Sequence, residues 1–415
     1  MALNLLRNSR VFVTINLDSN GDVATSGHTP ATTREIQVLD GFSFSQNTGQ
    51  ETVTTNEAGI APIRGQRSFN TSLEPVDWSF STYIRPKFIE GTTVVNTSGF
   101  DADDEIIAEE SVLWAAMSSV SGNGWTPTYG VAAATSPSVV AAAAPYSTVA
   151  FGNSNAHQLQ AFGLIIQFEA VTYVINNCAV DSATIDFGLD AIAMIAWAGK
   201  GTTMKQLPST LNIPTGGVNV TGGGFTTTVA VPSNDFKIKD TTARFIPNKL
   251  STMTLASLAH GGISTPTNYT IALTGGNITI SNNLTYLTPA NLGVVNTPIT
   301  YFTGTRSVTA TVTAYLKTGT DPITTYKQGA GLLNDLIAAS TSTENKFNTT
   351  ISIGGATNGT RVDLTMPTVQ LTIPTVTSEQ IISTSIGLTA QGAASGGAYD
   401  LEATNELAIK YYAVQ

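Results

Sequence analysis

Few residues in this chain could do chemistry, and their surroundings speak against it. Hydrolysis by a Ser, His and Asp set requires an imidazole, and only His28, His157 and His260 exist, each in a Gly-, Ser- or Asn-rich context that reads as loop. No Gly-x-Ser-x-Gly elbow accompanies them. A zinc centre needs three or four His, Cys or carboxylate ligands at close spacing, and no stretch offers them. The densest carboxylate group is Asp101, Asp103, Asp104, Glu105, Glu109 and Glu110. It lacks the spacing and the glycine of a calcium loop, and it precedes an apolar helical pattern whose positive end would favour it. Gly199-Lys200-Gly201-Thr202 has the outline of a phosphate loop, but Met194 stands where the first glycine would be needed. Cys178 lies in an apolar strand-like stretch and reads as core filler. Of Trp78, Trp114, Trp125 and Trp197, three occupy core-phase positions, which favours packing over sugar stacking. The expectation is a protein with no catalytic, cofactor or metal site.

The elements that would have to position a site are β-strands. Charged residues make up 12% of the 415 residues, well below the usual share, and Thr, Ser, Ala, Gly and Asn fill the space. Such a surface suits a protein that spends its life in interfaces. The formal charge of −10 excludes a wrapped nucleic-acid binder, which needs clustered Lys and Arg, but allows DNA to pass nearby. Met1 to Arg10 is too short and too basic for a signal peptide, and Leu164 to Ile175 is too short and too interrupted to span a bilayer. With one cysteine and no leader, folding in a reducing cytoplasm is expected.

Alternation of period two is clearest where Val308, Ala310, Val312, Ala314 and Leu316 face one way and Thr309, Thr311 and Thr313 the other. Trp78, Phe80, Thr82 and Ile84 alternate in the same phase, with Tyr83 matching Tyr315. Aligned on those tyrosines, the two halves share an order of elements. Gly65 to Ser68 precedes the first strand as Gly304 to Ser307 precedes the second. A short helical pattern follows each: Val112, Leu113, Ala116 and Met117, then Leu332, Leu333, Leu336 and Ile337. Each half closes on a strand pair, Ser182 to Trp197 in one and Val369 to Ile373 with Ile382 to Ala390 in the other. Between them Gly201 to Ser233 is rich in Gly and Pro and reads as a linker or arm. The expected division is a first unit at 1–200, a linker at 201–233 and a second unit at 234–415. Val120 to His157 is irregular and reads as a surface excursion.

Specific segments are similar to a known family. Leu5 to Val13, Val53 to Gly59, Trp78 to Ile84, Asn248-Lys249-Leu250, Asn282 to Pro289 and Thr313 to Leu316 resemble the major tail tube proteins of T-five-like siphophages. The resemblance implies a mainly β fold of two tandem tail-tube-type β-sandwich units, each with a flanking short α-helix, forming a closed β-barrel on oligomerisation. It implies a structural virion protein whose rings, trimeric and pseudo-sixfold, stack into the conduit for DNA during ejection. The implied partners are other copies of the chain, the tail tip or baseplate, the tape measure and tail terminator proteins, and genomic DNA in transit without specific binding; no membrane is involved. The implied location is the virion tail, after synthesis in the host bacterial cytoplasm. Another virion part, such as a baseplate or capsid decoration protein, or a β-sandwich adhesin, is the alternative.

A tube must close rings, stack them and let DNA slide. Closing joins sheet edges into one barrel, for which Val-, Ile- and Thr-rich strands are suited. Gln46 to Arg67 and the linker are the expected stacking arms. The wet face opposite Ala183, Ile185, Phe187 and Leu189 carries Ser182, Thr184, Asp186 and Asp190. With Thr372, Ser383 and Ser385 of the second half, these are the expected lumen-facing residues.

Overall fold

The structure is a computed structural model that describes residues 9–24, 28, 32–54, 65–89, 105–108, 110–118, 146–151, 159–168, 171–189, 191–207, 220–222, 225–227, 245–258, 267–322, 325–338, 345–354, 360–377, 381–392 and 406–412. In the first half come β1 (Arg10–Thr14), β2 (Thr33–Ile36), β3 (Ser43–Thr54), β4 (Gln66–Tyr83), β5 (Pro86–Ile89), β6 (Glu105–Ala108), α1 (Ser111–Ser118), β7 (Tyr146–Ala150), β8 (Phe162–Gln167), β9 (Thr172–Gly188), β10 (Met194–Gly201) and β11 (Met204–Leu207). A short hairpin of β12 (Val220–Gly222) and β13 (Phe225–Thr227) follows. The second half holds β14 (Thr252–Ser257), β15 (Asn268–Ile271), β16 (Leu273–Ser281), β17 (Leu284–Leu287), β18 (Thr300–Thr303), β19 (Ser307–Tyr315), α2 (Gly329–Ala338), β20 (Lys346–Ile353), β21 (Arg361–Leu371), β22 (Thr375–Thr377), β23 (Ser383–Ala390) and β24 (Ala408–Tyr412).

Antiparallel pairings of the first half recur in the second. The outer layer joins β2–β1–β8–β9–β11 in one half and β15–β14–β20–β21–β24 in the other. The inner layer joins β3–β4–β10–β9 and then β16–β19–β23–β22. Two hydrogen bonds fix the correspondence: Ile84 N–H donates to Ala193 O and Leu316 N–H to Ile382 O, both at 3.0 Å, one residue beyond each tyrosine. Tyr83 and Tyr315 therefore sit at equivalent places, as the alternation in the sequence predicts.

Between inner and outer layers lies one core, filled by the inward residues of the alternating strands. Trp78, Phe80, Ile185, Trp197, Ile278, Val308 and Ile386 are all buried in it. At Gly199 the layers come so close that a Cβ would stand 2.2 Å from Ala179 O and 2.3 Å from the Trp78 ring. Only glycine fits, which explains the Gly199-Lys200-Gly201 sequence as packing.

The helices form where the apolar spacing predicts them, but they pack differently. Residues 112–118 of α1 are buried, whereas Ile337 of α2 is exposed. Glu110 supplies the main-chain carbonyl that accepts from Leu113 and Trp114 N–H, which starts α1. Its carboxylate turns toward the last strand. It accepts from Tyr411 OH at 2.8 Å, and Tyr411 accepts from Trp114 Nε1 at 2.6 Å. Burial, with Glu110 beside it, pushes the Tyr411 hydroxyl well above its ordinary pKa and keeps the proton in place. This chain of bonds fastens the last strand to the first-half helix. Asp101 to Asp104 and Glu109 lie outside the described residues.

A second fastening is the buried pair Arg306–Glu406 at 2.8 Å, with both side chains 5% exposed. Arg306 also donates to Phe151 O at 2.7 Å and lies over the Phe151 ring. Removing one partner would strand the other charge in the interior, a loss of about 3–5 kcal/mol. Chemical denaturation of Glu406→Ala is expected to show that drop, whereas breaking the exposed pair Lys205–Asp22 should change stability by less than about 1 kcal/mol.

A candidate assembly surface and channel lining

The inner layer is a single eight-stranded sheet, because β9 of the first half pairs directly with β16 of the second. Gly188 faces Gly275, Asp186 faces Asn277, Thr184 faces Thr279 and Ser182 faces Ser281. Across this seam the hydroxyls of Thr184 and Thr279 are hydrogen bonded at 3.1 Å. The seam is dry on its core side, where Ile185 and Ile278 are buried.

On the other side the sheet has no covering layer among the described residues, and its side chains form transverse rows of small polar groups. One row runs Ser43, Ser79, Ala198, Ser182, Ser281, Ser307. The next runs Ser81, Ala196, Thr184, Thr279, Thr309, Thr389, and a third Tyr83, Met194, Asp186, Asn277, Thr311, Gly387. Charge is scarce here. Lys200 is paired with Asp77 at 2.5 Å beside the first row, which leaves Asp186 as the charged group of the three rows.

The residues singled out from the sequence fall as follows. Ser182, Thr184 and Asp186 lie on this uncovered face of β9, and Ser383 and Ser385 on the same face of β23. Thr372 is exposed and its hydroxyl donates to Gly387 O. Asp190 lies outside the described residues. Sequence reasoning missed the contribution of β16 and β19, although Thr309, Thr311 and Thr313 already alternate against apolar partners. His157 and His260 also lie outside the described residues. His28 is buried, with Nε2 donating to Ala24 O and Nδ1 accepting from the Thr14 and Thr33 hydroxyls. Burial lowers its pKa, so it is a neutral structural group at the β1–β2 connection. Burial raises the Cys178 thiol, which makes it unreactive. Among the described residues no His, Cys, Asp and Glu cluster could hold a metal, and no helix is long and apolar enough to cross a membrane.

Among the described residues two edges of the inner sheet are open in the single chain: the outer side of β3 and the outer side of β22. Neither β3 nor β22 carries a lysine or proline to discourage pairing. Two hairpin arms extend beyond the sheet at one end. The first is the distal part of β3–β4, with Val53 and Phe69 exposed; the second is β17–β18, whose loop exposes Leu292, Val294, Val295 and Ile299. At the opposite end Leu189, Ile192, Phe245, Ile381 and Ile382 are exposed.

No family model matches the chain. Over 391 residues, 93% of this chain and 72% of the relative, it is 28% identical to a protein described as Tail tube protein pb6 from Escherichia phage T5. The similarity runs along nearly the whole chain and accompanies a mainly β fold whose sheets stay open at their edges, so the chain is similar to a phage tail tube protein.

Proposed function

We propose that three copies of the chain join through the open edges of the inner sheet into a ring, and that stacked rings form the conduit through which phage DNA passes. The two strand sets are then two tube units, at 1–200 and 234–415, with 201–233 between them. Within that last span Met204–Leu207 completes the outer layer by pairing with β9. The observation that carries this reading is the inner sheet itself: eight strands, free at both edges, dry on one face and polar on the other.

Three such sheets, with strands about 4.8 Å apart and tilted by about 40°, would wrap a bore on the order of 40 Å between side chains. That is wide enough to pass duplex DNA. The uncovered face is the lumen wall, with Ser182, Thr184, Asp186, Thr372, Ser383 and Ser385 on it. A wall of small hydroxyls without unpaired cations gives phosphates nothing to bind, so DNA slides instead of sticking. Exposed apolar groups on the arms and at the opposite end suit head-to-tail stacking, which is heterologous and so propagates without closing. The first arm, Gln46 to Arg67, and the β17–β18 hairpin are its agents. The chain is structural and carries no catalysis; its site of action is the virion tail, after synthesis in the host cytoplasm, where it meets the tail tip, tape measure and terminator proteins.

Negative-stain imaging of the purified protein tests the reading. Rings or hollow tubes of uniform width are expected; monodisperse globules at high concentration would count against it.

A further inference from the structure

The seam within the chain carries information about the contact between chains. Because Tyr83 and Tyr315 are equivalent, Met194 opposite Tyr83 corresponds to Ser383 opposite Tyr315. Asp186 opposite Met194 then corresponds to Thr377 opposite Ser383, Ile185 to Val376 and Thr184 to Thr375. On the other side Asn277 opposite Thr311 corresponds to Ser43 opposite Ser79, so Ile278 maps to Phe44 and Thr279 to Ser45. β22 is thus the counterpart of the end of β9, and β3 that of β16. β9 and β16 pair with each other, whereas β22 and β3 each have one side free.

We propose that β3 of one chain adds to β22 of the next in the register of the internal seam, with Ser43 opposite Thr377, Phe44 opposite Val376 and Ser45 opposite Thr375. This rests on the ring reading above and adds the residue register and the identity of the partner edge, a second copy of the chain. The chemistry at the two edges matches the seam position by position. The hydroxyl pair Thr184–Thr279 becomes Thr375–Ser45, again two hydroxyls. The buried apolar pair Ile185–Ile278 becomes Val376–Phe44, and Val376, now 45% exposed, would be covered. The polar pair Asp186–Asn277 becomes Thr377–Ser43. Phe44 is already held in place by Phe42, Phe168 and Tyr173 at ring separations of 5.5–6.4 Å, so the edge is ordered before a partner arrives.

The hydrogen-bond phase also transfers. Asn282 N–H donates to Asp181 O at the end of the seam, which makes 282 and 181 a bonded pair. Counting by twos, 278 and 185 are bonded, while 279 with 184 and 277 with 186 are the closer, non-bonded pairs. Ser43 with Thr377 and Ser45 with Thr375 should therefore have side chains close enough for a disulfide.

The test uses the full chain with Ser43→Cys and Thr377→Cys together; Cys178 is fully buried and stays. Assembled tubes are oxidised and run on a denaturing gel without reductant. Linked dimers and closed trimers are expected, with little material above trimer, and the second variant, Ser45→Cys with Thr375→Cys, is expected to link likewise. A pair shifted by one residue, Phe44→Cys with Thr377→Cys, should stay largely unlinked because its side chains point to opposite faces. Tubes in which neither in-register pair links, or in which the shifted pair links better, overturn the register while leaving the ring reading in place. If the unmodified chain forms neither rings nor tubes, the ring reading falls and the register with it.

Discussion

The variant Val376→Pro is expected to fold normally and to form no rings. In the proposed register Val376 corresponds to Ile185, whose N–H and C=O point across the seam to Ile278. The main-chain groups of Val376 therefore face outward, and those of Thr375 and Thr377 face β23 within the chain. Proline at that position costs the monomer no ladder bond, because it sits on an edge strand with its nitrogen toward solvent. It does remove the outward donor and places a ring where Phe44 of the neighbour must pack. A ring of three chains would hold three such contacts, so the penalty would be incurred three times in closing it. Sedimentation velocity should show monomer at concentrations where the parent chain polymerises, with circular dichroism and melting temperature little changed. Val376→Thr, which keeps the donor, should still assemble. Tubes formed by Val376→Pro would show that β22 is not a joining edge.

The second large effect concerns the bore. Asp186→Lys is expected to leave tubes intact by electron microscopy and to slow DNA ejection by at least about tenfold, since a tube repeats the new cations in every ring and each releases counterions from the passing phosphates. The effect should shrink as salt is raised. Asp186→Asn should eject at the parental rate, because a neutral wall has nothing for DNA to grip. The comparison separates charge from shape, as all three side chains share the same uncovered position on β9. Normal ejection by the lysine variant would put this face on the outside of the particle.

Much of this surface was legible in the residues, for reasons that differ from strand to strand. β19 and the end of β4 announce themselves because one face is packed and the other wet, which forces strict alternation. The matching tyrosines followed from that alternation and led to the repeat. The helices were legible from spacing. Less visible was the role of Glu110: a carboxylate before a helix ordinarily serves the helix end, and only tertiary packing turns this one toward Tyr411. The expected lumen residues, Ser182 to Asp190 with Thr372, Ser383 and Ser385, leave out β16, because nothing in a sequence shows that β16 lies beside β9. That pairing joins residues almost a hundred positions apart, and it is where the two halves become one sheet.

Copies of this inner sheet are expected to continue one another around a hole. Averaged end-on views of assembled particles by cryo-electron microscopy measure this most directly. Threefold rings, each with a continuous strand wall of three eight-stranded sheets and an open bore, are the expected result. Rings whose neighbouring inner sheets are separated by side chains or loops, or particles without a bore, would contradict it.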